Sequence, residues 1–249
     1  MKRFLPFLLL ALMLTPLALS AQAQTIIPRI TIGVEQATTP QEVSTSLQIV
    51  LLLTVLSIAP SLLILMTSFT RIAVVLGMVR RAVGTQSVPS NQIVIALSLF
   101  LTFFIMAPVF KDINDNALQP YLAGELTHEE AFENGANPLR TFMLSQTREK
   151  DLGLMVRNAN LPRPQTADDL PLYVIVPAFA ISELRLAFQM GFLLYLPFIM
   201  IDMIIASILM SMGMMMLPPV MISAPFKILL FVLIDGWYIV IETLVGSFG

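Results

Sequence analysis

Met210-Ser211-Met212-Gly213-Met214-Met215-Met216-Leu217-Pro218-Pro219 decides how the second half of this chain is read. Pro219 lacks an N–H and both proline rings crowd the preceding turn, so a helix arriving from upstream cannot cross them. Gly213 loosens the backbone just before. The stretch is therefore a helix end and a loop between two apolar segments, and five of its first seven residues are methionine. Thioether side chains are unbranched and polarizable, and they repack around irregular shapes as few others do. Methionine is also common filler in apolar chains, but clustering at a helix break points instead to a soft constriction.

Working outward, Leu172 to Pro197 reads as one helical stretch interrupted by Pro177, followed by Phe198 to Met210. Downstream, Ile222 to Phe248 reads as a further apolar segment, so residues 171–249 form one apolar helical block with the methionine-rich loop 210–219 inside it. An earlier block occupies residues 47–110. Its first part, Leu47 to Met66, is about 20 residues and would span about 30 Å as a helix, enough to cross hydrocarbon. Pro60 is expected to kink it. Thr67 to Val79 continues in helical character, and Ile93 to Phe110 is a second apolar segment with Pro108 near its end. Arg71, Arg80 and Arg81 are the only charges between Leu47 and Phe110. The loop from Arg80 to Pro89 carries positive charge and no acid, which places it on the cytoplasmic side.

Hydrophobic residues make up 57% of the 249 and charged residues 12%, against about a quarter charged in soluble domains. A mean hydropathy of +0.84 agrees with a membrane protein. The net charge of -2, with no basic run interleaved with aromatics, gives no argument for nucleic acid as a partner. The absence of cysteine excludes disulfides and thiolate metal sites. The single histidine, His128, lies among Glu125, Glu129 and Glu130, a pattern better suited to a solvated acidic helix face than to a metal site. Neither metal nor cofactor is expected.

Residues 1–23 read as a signal peptide: Lys2 and Arg3, an apolar run from Phe4 to Leu19, then Ala21-Gln22-Ala23, with cleavage between Ala23 and Gln24. Residues 24–46 form an extracytoplasmic lead-in. Residues 111–170 are a hydrophilic extracytoplasmic insert, whose Lys111 to Asp169 stretch holds six Lys/Arg against ten Asp/Glu. Leu118 to Arg157 reads as two or three short amphipathic helices punctuated by Asn137-Pro138, with Leu139, Phe142, Met143 and Leu144 as an apolar stripe. So small a region is expected to pack against its own helices or against neighbouring copies.

Six ionisable residues fall in the second apolar block: Glu183, Arg185, Asp202, Lys227, Asp235 and Glu242. A charge in hydrocarbon costs at least about 2.5–3.5 kcal/mol, so each should face protein or water. Glu183 and Arg185, two apart, point to different sides of a helix and cannot easily pair. Each is expected to meet an opposite charge on another helix or subunit, and with Lys227 and two aspartates nearby a ring of inter-subunit ion pairs follows. Asp202 and Asp235 also invite comparison with an intramembrane aspartyl dyad, but neither has the Gly-x-Gly-Asp context of such proteases. A proton-relay role for them stays open. There is no Gly-x-Ser-x-Gly, no phosphate loop and no second histidine, so no catalytic site is expected. Any transport here draws its energy from another protein or from an ion gradient. A small-solute or ion transporter would show paired inverted repeats, and the two apolar blocks differ in length and charge.

Longer motifs go further. Asp169-Leu-Pro-Leu-Tyr-Val-Ile-Val-Pro-Ala-Phe-Ala-Ile-Ser-Glu-Leu-Arg185, Phe188-Gln-Met-Gly-Phe192, Tyr195-Leu-Pro-Phe-Ile-Met-Ile-Asp202 and the methionine stretch closely resemble the FliP family of flagellar type III export-gate proteins. Pro60-Ser-Leu-Leu-Ile-Leu-Met-Thr-Ser-Phe-Thr-Arg71 and Thr85-Gln-Ser-Val-Pro-Ser-Asn-Gln92 match its N-terminal half, so the resemblance runs from about Leu47 onward. It implies an all-α protein of kinked, mostly apolar helices in hairpins with a small helical insert, built for a helical oligomeric ring. Further copies of the chain, roughly pentameric, would join FliQ, FliR and other export-apparatus membrane proteins in the inner membrane at the flagellar basal body. Unfolded rod, hook and filament proteins would pass through the channel. On this resemblance Met210, Met212, Met214, Met215 and Met216 form the channel constriction, with Gly213, Pro218 and Pro219 shaping the gate loop. Glu183, Arg185, Asp202, Lys227 and Asp235 are then subunit-contact or intramembrane charges. Virulence injectisomes carry homologous subunits, but the signal peptide and lead-in favour the flagellar branch. In the family's assembled state the helices are inclined and covered by neighbours, so four apolar blocks need not mean four straight spans.

Overall fold

The computed structural model describes residues 40–84, 88–159, 169–214 and 216–249, with side chains described from residue 47. The signal peptide with its Ala23–Gln24 junction, most of the lead-in, and Met215 lie outside the described residues. Every described element is helical: α1 (Pro40–Leu65), α2 (Phe69–Ala82), α3 (Asn91–Ile113), α4 (Gln119–Leu122), α5 (His128–Gln146), α6 (Glu149–Asn158), α7 (Leu172–Ser211), α8 (Pro219–Leu233) and α9 (Gly236–Gly246). A π-helical turn, Asn114–Leu118, joins α3 to α4. Contacts divide the chain into a unit ending at Leu51 and a unit from Leu52 to Gly249. The first contributes the opening turns of α1; the second holds everything that follows.

Within the second unit α2 is the central element. Ile72, Val75, Leu76, Val79, Ala82 and Val83 recur at helical spacing, and all are buried. They pack with Val94 of α3, Ala187 and Phe198 of α7, Phe231 of α8 and Val240 and Leu244 of α9. A second cluster joins Met143 of α5 to Leu170 and to Val174, Ile175 and Phe179 of α7, with Leu152, Met155 and Val156 of α6 packed against it. Phe142, Met143 and Leu144 of the stripe read from the sequence therefore face α7, and the insert folds onto its own chain.

Local signals set several boundaries. Ser90 caps α3, its hydroxyl accepting from the Ile93 N–H at 3.4 Å. Thr127 and Glu130 form a capping box at the start of α5: the Glu130 N–H donates to Thr127 Oγ1 at 3.3 Å and the Thr127 N–H to Glu130 Oε2 at 2.9 Å.

Prolines behave differently from expectation. Pro138 does not punctuate the insert; it lies inside α5, which runs 19 residues. Pro177 and Pro197 do not divide the third apolar stretch either, because α7 is one helix of 40 residues through both. An interior proline costs about 3 kcal/mol. Val174, Ile175 and Phe179 flank Pro177 and are buried, and their burial contributes about 4.5–9 kcal/mol in gross terms. Apolar packing outweighs the missing hydrogen bond. Breaks occur instead at Met66–Ser68, between α1 and α2, and at Ile234–Asp235, where α8 and α9 bend by 64°. The stretch read as continuous from Ile222 to Phe248 is thus two helices.

Three described helical stretches are long and apolar enough to cross a membrane: Leu47–Leu65, Asn91–Leu122 and Leu172–Ser211. The bent pair α8–α9 makes a fourth if counted as one span. Their apolar side chains are largely unburied within the chain, which calls for lipid or protein neighbours to cover them.

Candidate functional site: a methionine loop and two ion pairs

Helix α7 ends in a Schellman arrangement. The Met214 N–H donates to the Leu209 carbonyl at 3.0 Å and the Gly213 N–H to the Met210 carbonyl at 3.1 Å. Gly213 sits at φ 76°, where a side chain would be strained. Pro218 then caps α8 and Pro219 takes its first position, where a missing N–H costs nothing. The loop is thus pinned at both ends by backbone geometry while its side chains project. Met210 is 61% exposed, Met212 62% and Met216 98%; Met214 is half-buried. The helix stop at Gly213 is as read from the sequence, whereas the next helix starts at Pro219 rather than Ile222.

Arg71, at the start of α2, is wholly buried. Its Nε donates to Glu183 Oε2 at 2.9 Å, and one Nη2 hydrogen goes to Glu183 Oε1. The other Nη2 hydrogen goes to Gln146 Oε1 at 2.9 Å, and Nη1 serves the Ser247 carbonyl at 2.8 Å and the Ser247 hydroxyl at 2.9 Å. All five guanidinium hydrogens are thereby used. The guanidinium carbon also lies 3.7 Å from the centroid of the Phe248 ring. One side chain ties α2 to α5, to α7 and to the residues after α9. Beside it, Ser182 Oγ donates to Asp151 Oδ2 at 2.8 Å and accepts from the Arg148 N–H at 3.1 Å, fastening α6 to α7.

A second pair lies nearer the methionine loop. Lys227 Nζ, in α8, donates to Asp202 Oδ2 of α7 at 2.5 Å. Ser223 Oγ donates to Asp202 Oδ1, also at 2.5 Å. Gly84, just past α2, faces the same lysine, since a Cβ built there would stand 3.7 Å from Lys227 Cδ. The two pairs thus bracket α2, and along α7 Glu183 and Asp202 are about 28 Å apart at 1.5 Å per residue.

The charges read from the sequence fare differently. Glu183, Asp202 and Lys227 each find an opposite charge on another helix, and the partner is in the same chain, so their neutralisation needs no second subunit. Arg185 is exposed two residues from Glu183, on another side of α7. Asp235 is exposed at φ 52° in the α8–α9 bend, and Glu242 is exposed, accepting from the Tyr238 hydroxyl at 3.4 Å. Asp202 gives its oxygens to Ser223 and Lys227, and among the described residues no hydrogen bond joins it to Asp235. The geometry offers packing and charge neutralisation. Arg71, Gln146, Ser223 and Ser247 went unassigned in the sequence reading. Arg71 had a signal, as the one charge amid the apolar residues from Leu47 to Val79.

Comparison with known proteins follows the same stretches. The FliP family profile matches residues 52–244. A flagellar biosynthetic protein FliP of Bacillus subtilis is 54% identical over 217 residues, covering 87% of this chain and 98% of that protein. Its namesake in Caulobacter vibrioides is 53% identical over 201 residues, covering 81% and 76%. That of Aquifex aeolicus is 49% identical over 205 residues, covering 82% and 86%. The matched span contains both ion pairs and the whole methionine loop, and the chain belongs to the FliP family.

Proposed function

We propose that this chain is a membrane subunit of the flagellar type III protein export gate, and that its methionine loop closes the export channel. In this reading further copies of the chain assemble into a ring with FliQ- and FliR-type proteins in the inner membrane at the flagellar basal body. Unfolded rod, hook and filament proteins pass through the ring. Family membership over residues 52–244 supports the export role. The flagellar names of its relatives favour this branch over an injectisome.

The loop carries the gate assignment. Apolar side chains as exposed as Met212 and Met216 are costly in water and gain by meeting one another. Copies of the loop converging around a ring axis would satisfy that demand. Flexible thioethers would fill an irregular aperture when no cargo is present and repack around a polypeptide when one passes. The rigid 40-residue α7 holds one end and the proline-started α8 the other, so only side chains need move. The loop acts by shape and softness, and the force for export comes from elsewhere in the apparatus.

The test replaces Met210, Met212, Met214, Met215 and Met216 with alanine in cells, then follows secreted flagellin, ion leakage and the amount of assembled ring. A leak with assembly intact is the expected result. The Met210, Met212 and Met216 side chains are exposed, so each of those changes should alter the subunit's own stability by no more than about 0.5 kcal/mol. Normal secretion with no leak would remove the gate assignment.

A further inference from the structure

Two recesses adjoin each other where the end of α2, the start of α3, and helices α8 and α9 meet. The first, about 560 Å³, is lined by Gly77, Arg80, Arg81, Asn91, Val94 and Val220. The second, about 260 Å³, is apolar and lined by Leu76, Pro89, Ile93, Val94, Leu97 and Trp237. Val94 lines both, so a basic recess and an apolar trough share a wall. We propose that together they hold one anionic phospholipid, its phosphate on Arg80 and Arg81 and one acyl chain along Ile93, Leu97 and Trp237.

Charge argues for the headgroup. No acid lines the basic recess, and none occurs in sequence between Leu47 and Phe110. The nearby Lys227–Asp202 pair is already internally neutral. Arg80 reaches Asn91 Oδ1, which fixes its guanidinium at the first turn of α3. Arg81 is exposed and commits only its Nε, to the Gly77 carbonyl at 3.2 Å. Among the described residues nothing accepts from its Nη groups, whose planar edge matches a phosphate. Position argues for a lipid over a soluble anion. The arginines stand where the membrane-length stretch Asn91–Leu122 begins, which is headgroup depth. A soluble phosphate would leave the trough unfilled. Val220 is the second residue of α8, so the bound headgroup would rest against the downstream root of the methionine loop and brace it.

This inference rests on reading α3 as a membrane-crossing helix, and one measurement separates the two. Trp237 is the only tryptophan of the chain. The full chain is placed in vesicles carrying acyl-brominated phosphatidylglycerol or acyl-brominated phosphatidylcholine, and quenching of Trp237 is followed against mole fraction. The brominated anionic lipid should reach half-maximal quenching at about thirty-fold lower mole fraction, the change expected for two basic contacts at a membrane surface. Arg81→Gln should cut that preference to about five-fold while quenching in fully brominated vesicles persists. Added inorganic phosphate should leave it unchanged. Equal quenching by both headgroups, or an unaltered preference in Arg81→Gln, overturns the lipid site and leaves the membrane reading intact. Displacement by inorganic phosphate overturns the lipid assignment in favour of a soluble anion. No quenching by either lipid overturns the membrane reading and the site with it.

Discussion

Replacing Arg71 with leucine tests whether the buried guanidinium is the tie that the structure makes it. The substitution keeps the side chain apolar and roughly fills the stem, but it leaves Glu183 wholly buried without a counter-charge. Breaking a buried pair from one side costs about 3–5 kcal/mol. Gln146 Oε1 and the Ser247 carbonyl lose a donor as well, at about 1 kcal/mol each where they stay dry. The total is about 4–7 kcal/mol, and for a chain of this size about 1 kcal/mol moves the midpoint by 2–4 °C, so Arg71→Leu should lower it by about 8–28 °C. Arg71→Leu with Glu183→Leu removes both charges and should recover most of that loss. It should stop short of full recovery by about 1–2 kcal/mol, because Gln146 and Ser247 remain unserved. Thermal unfolding of the purified full chain in a mild detergent, followed by circular dichroism, reads all three proteins. A single variant within 2 °C of the parent, or a double variant less stable than Arg71→Leu, would refute the reasoning.

Three further outcomes follow from local geometry. A Cβ at Gly236 would stand 2.3 Å from the Phe231 ring edge, so Gly236→Ala should cost about 1–3 kcal/mol by overpacking and be partly rescued by Phe231→Leu in the same unfolding assay. Asp235 holds a left-handed backbone, so Asp235→Gly should stabilise the chain by up to about 1 kcal/mol; a loss of stability would show that the carboxylate does something the bend does not require. The Thr127 N–H, and then the Thr127 hydroxyl, hold the Glu130 carboxyl below its ordinary value. A depressed folded value means the capping contribution is whole above the ordinary carboxylate range and is lost as pH falls through the lowered value. Amide protection in the first turn of α5 should therefore fall below about pH 4.3. Glu130→Gln should flatten that dependence; parallel profiles would remove the carboxylate from the cap.

What could be read from the chain, and what could not, divides by the range of the forces involved. The loop at 210–219 was legible because Gly213, Pro218 and Pro219 act on their own neighbours, and the same holds for the helical character of each apolar block. Pro177, Pro197 and Pro138 misled because their cost is local while the burial that offsets it comes from α2, α5 and α6. The 64° bend at Asp235 carried no proline signal; it follows the close seating of Gly236 on Phe231, a contact between two helices. Glu183 was rightly expected to meet a partner on another helix. That the partner is Arg71, 112 residues away, was beyond any pattern in the sequence. So was the completion of its hydrogen bonds by Gln146 and Ser247.

The Arg71 tie also has a consequence for how the subunit is made. Ser247 lies 176 residues downstream of Arg71. At about 5–20 residues per second of synthesis, about 9–35 s separate the two residues' appearance on the ribosome. Throughout that interval Arg71 lacks part of its final company, and α2, the centre of the larger unit, has no finished end. The contact between α2 and the residues after α9 is therefore the last of the Arg71 ties to form. The Arg71 site is completed only when Ser247 and Phe248 arrive.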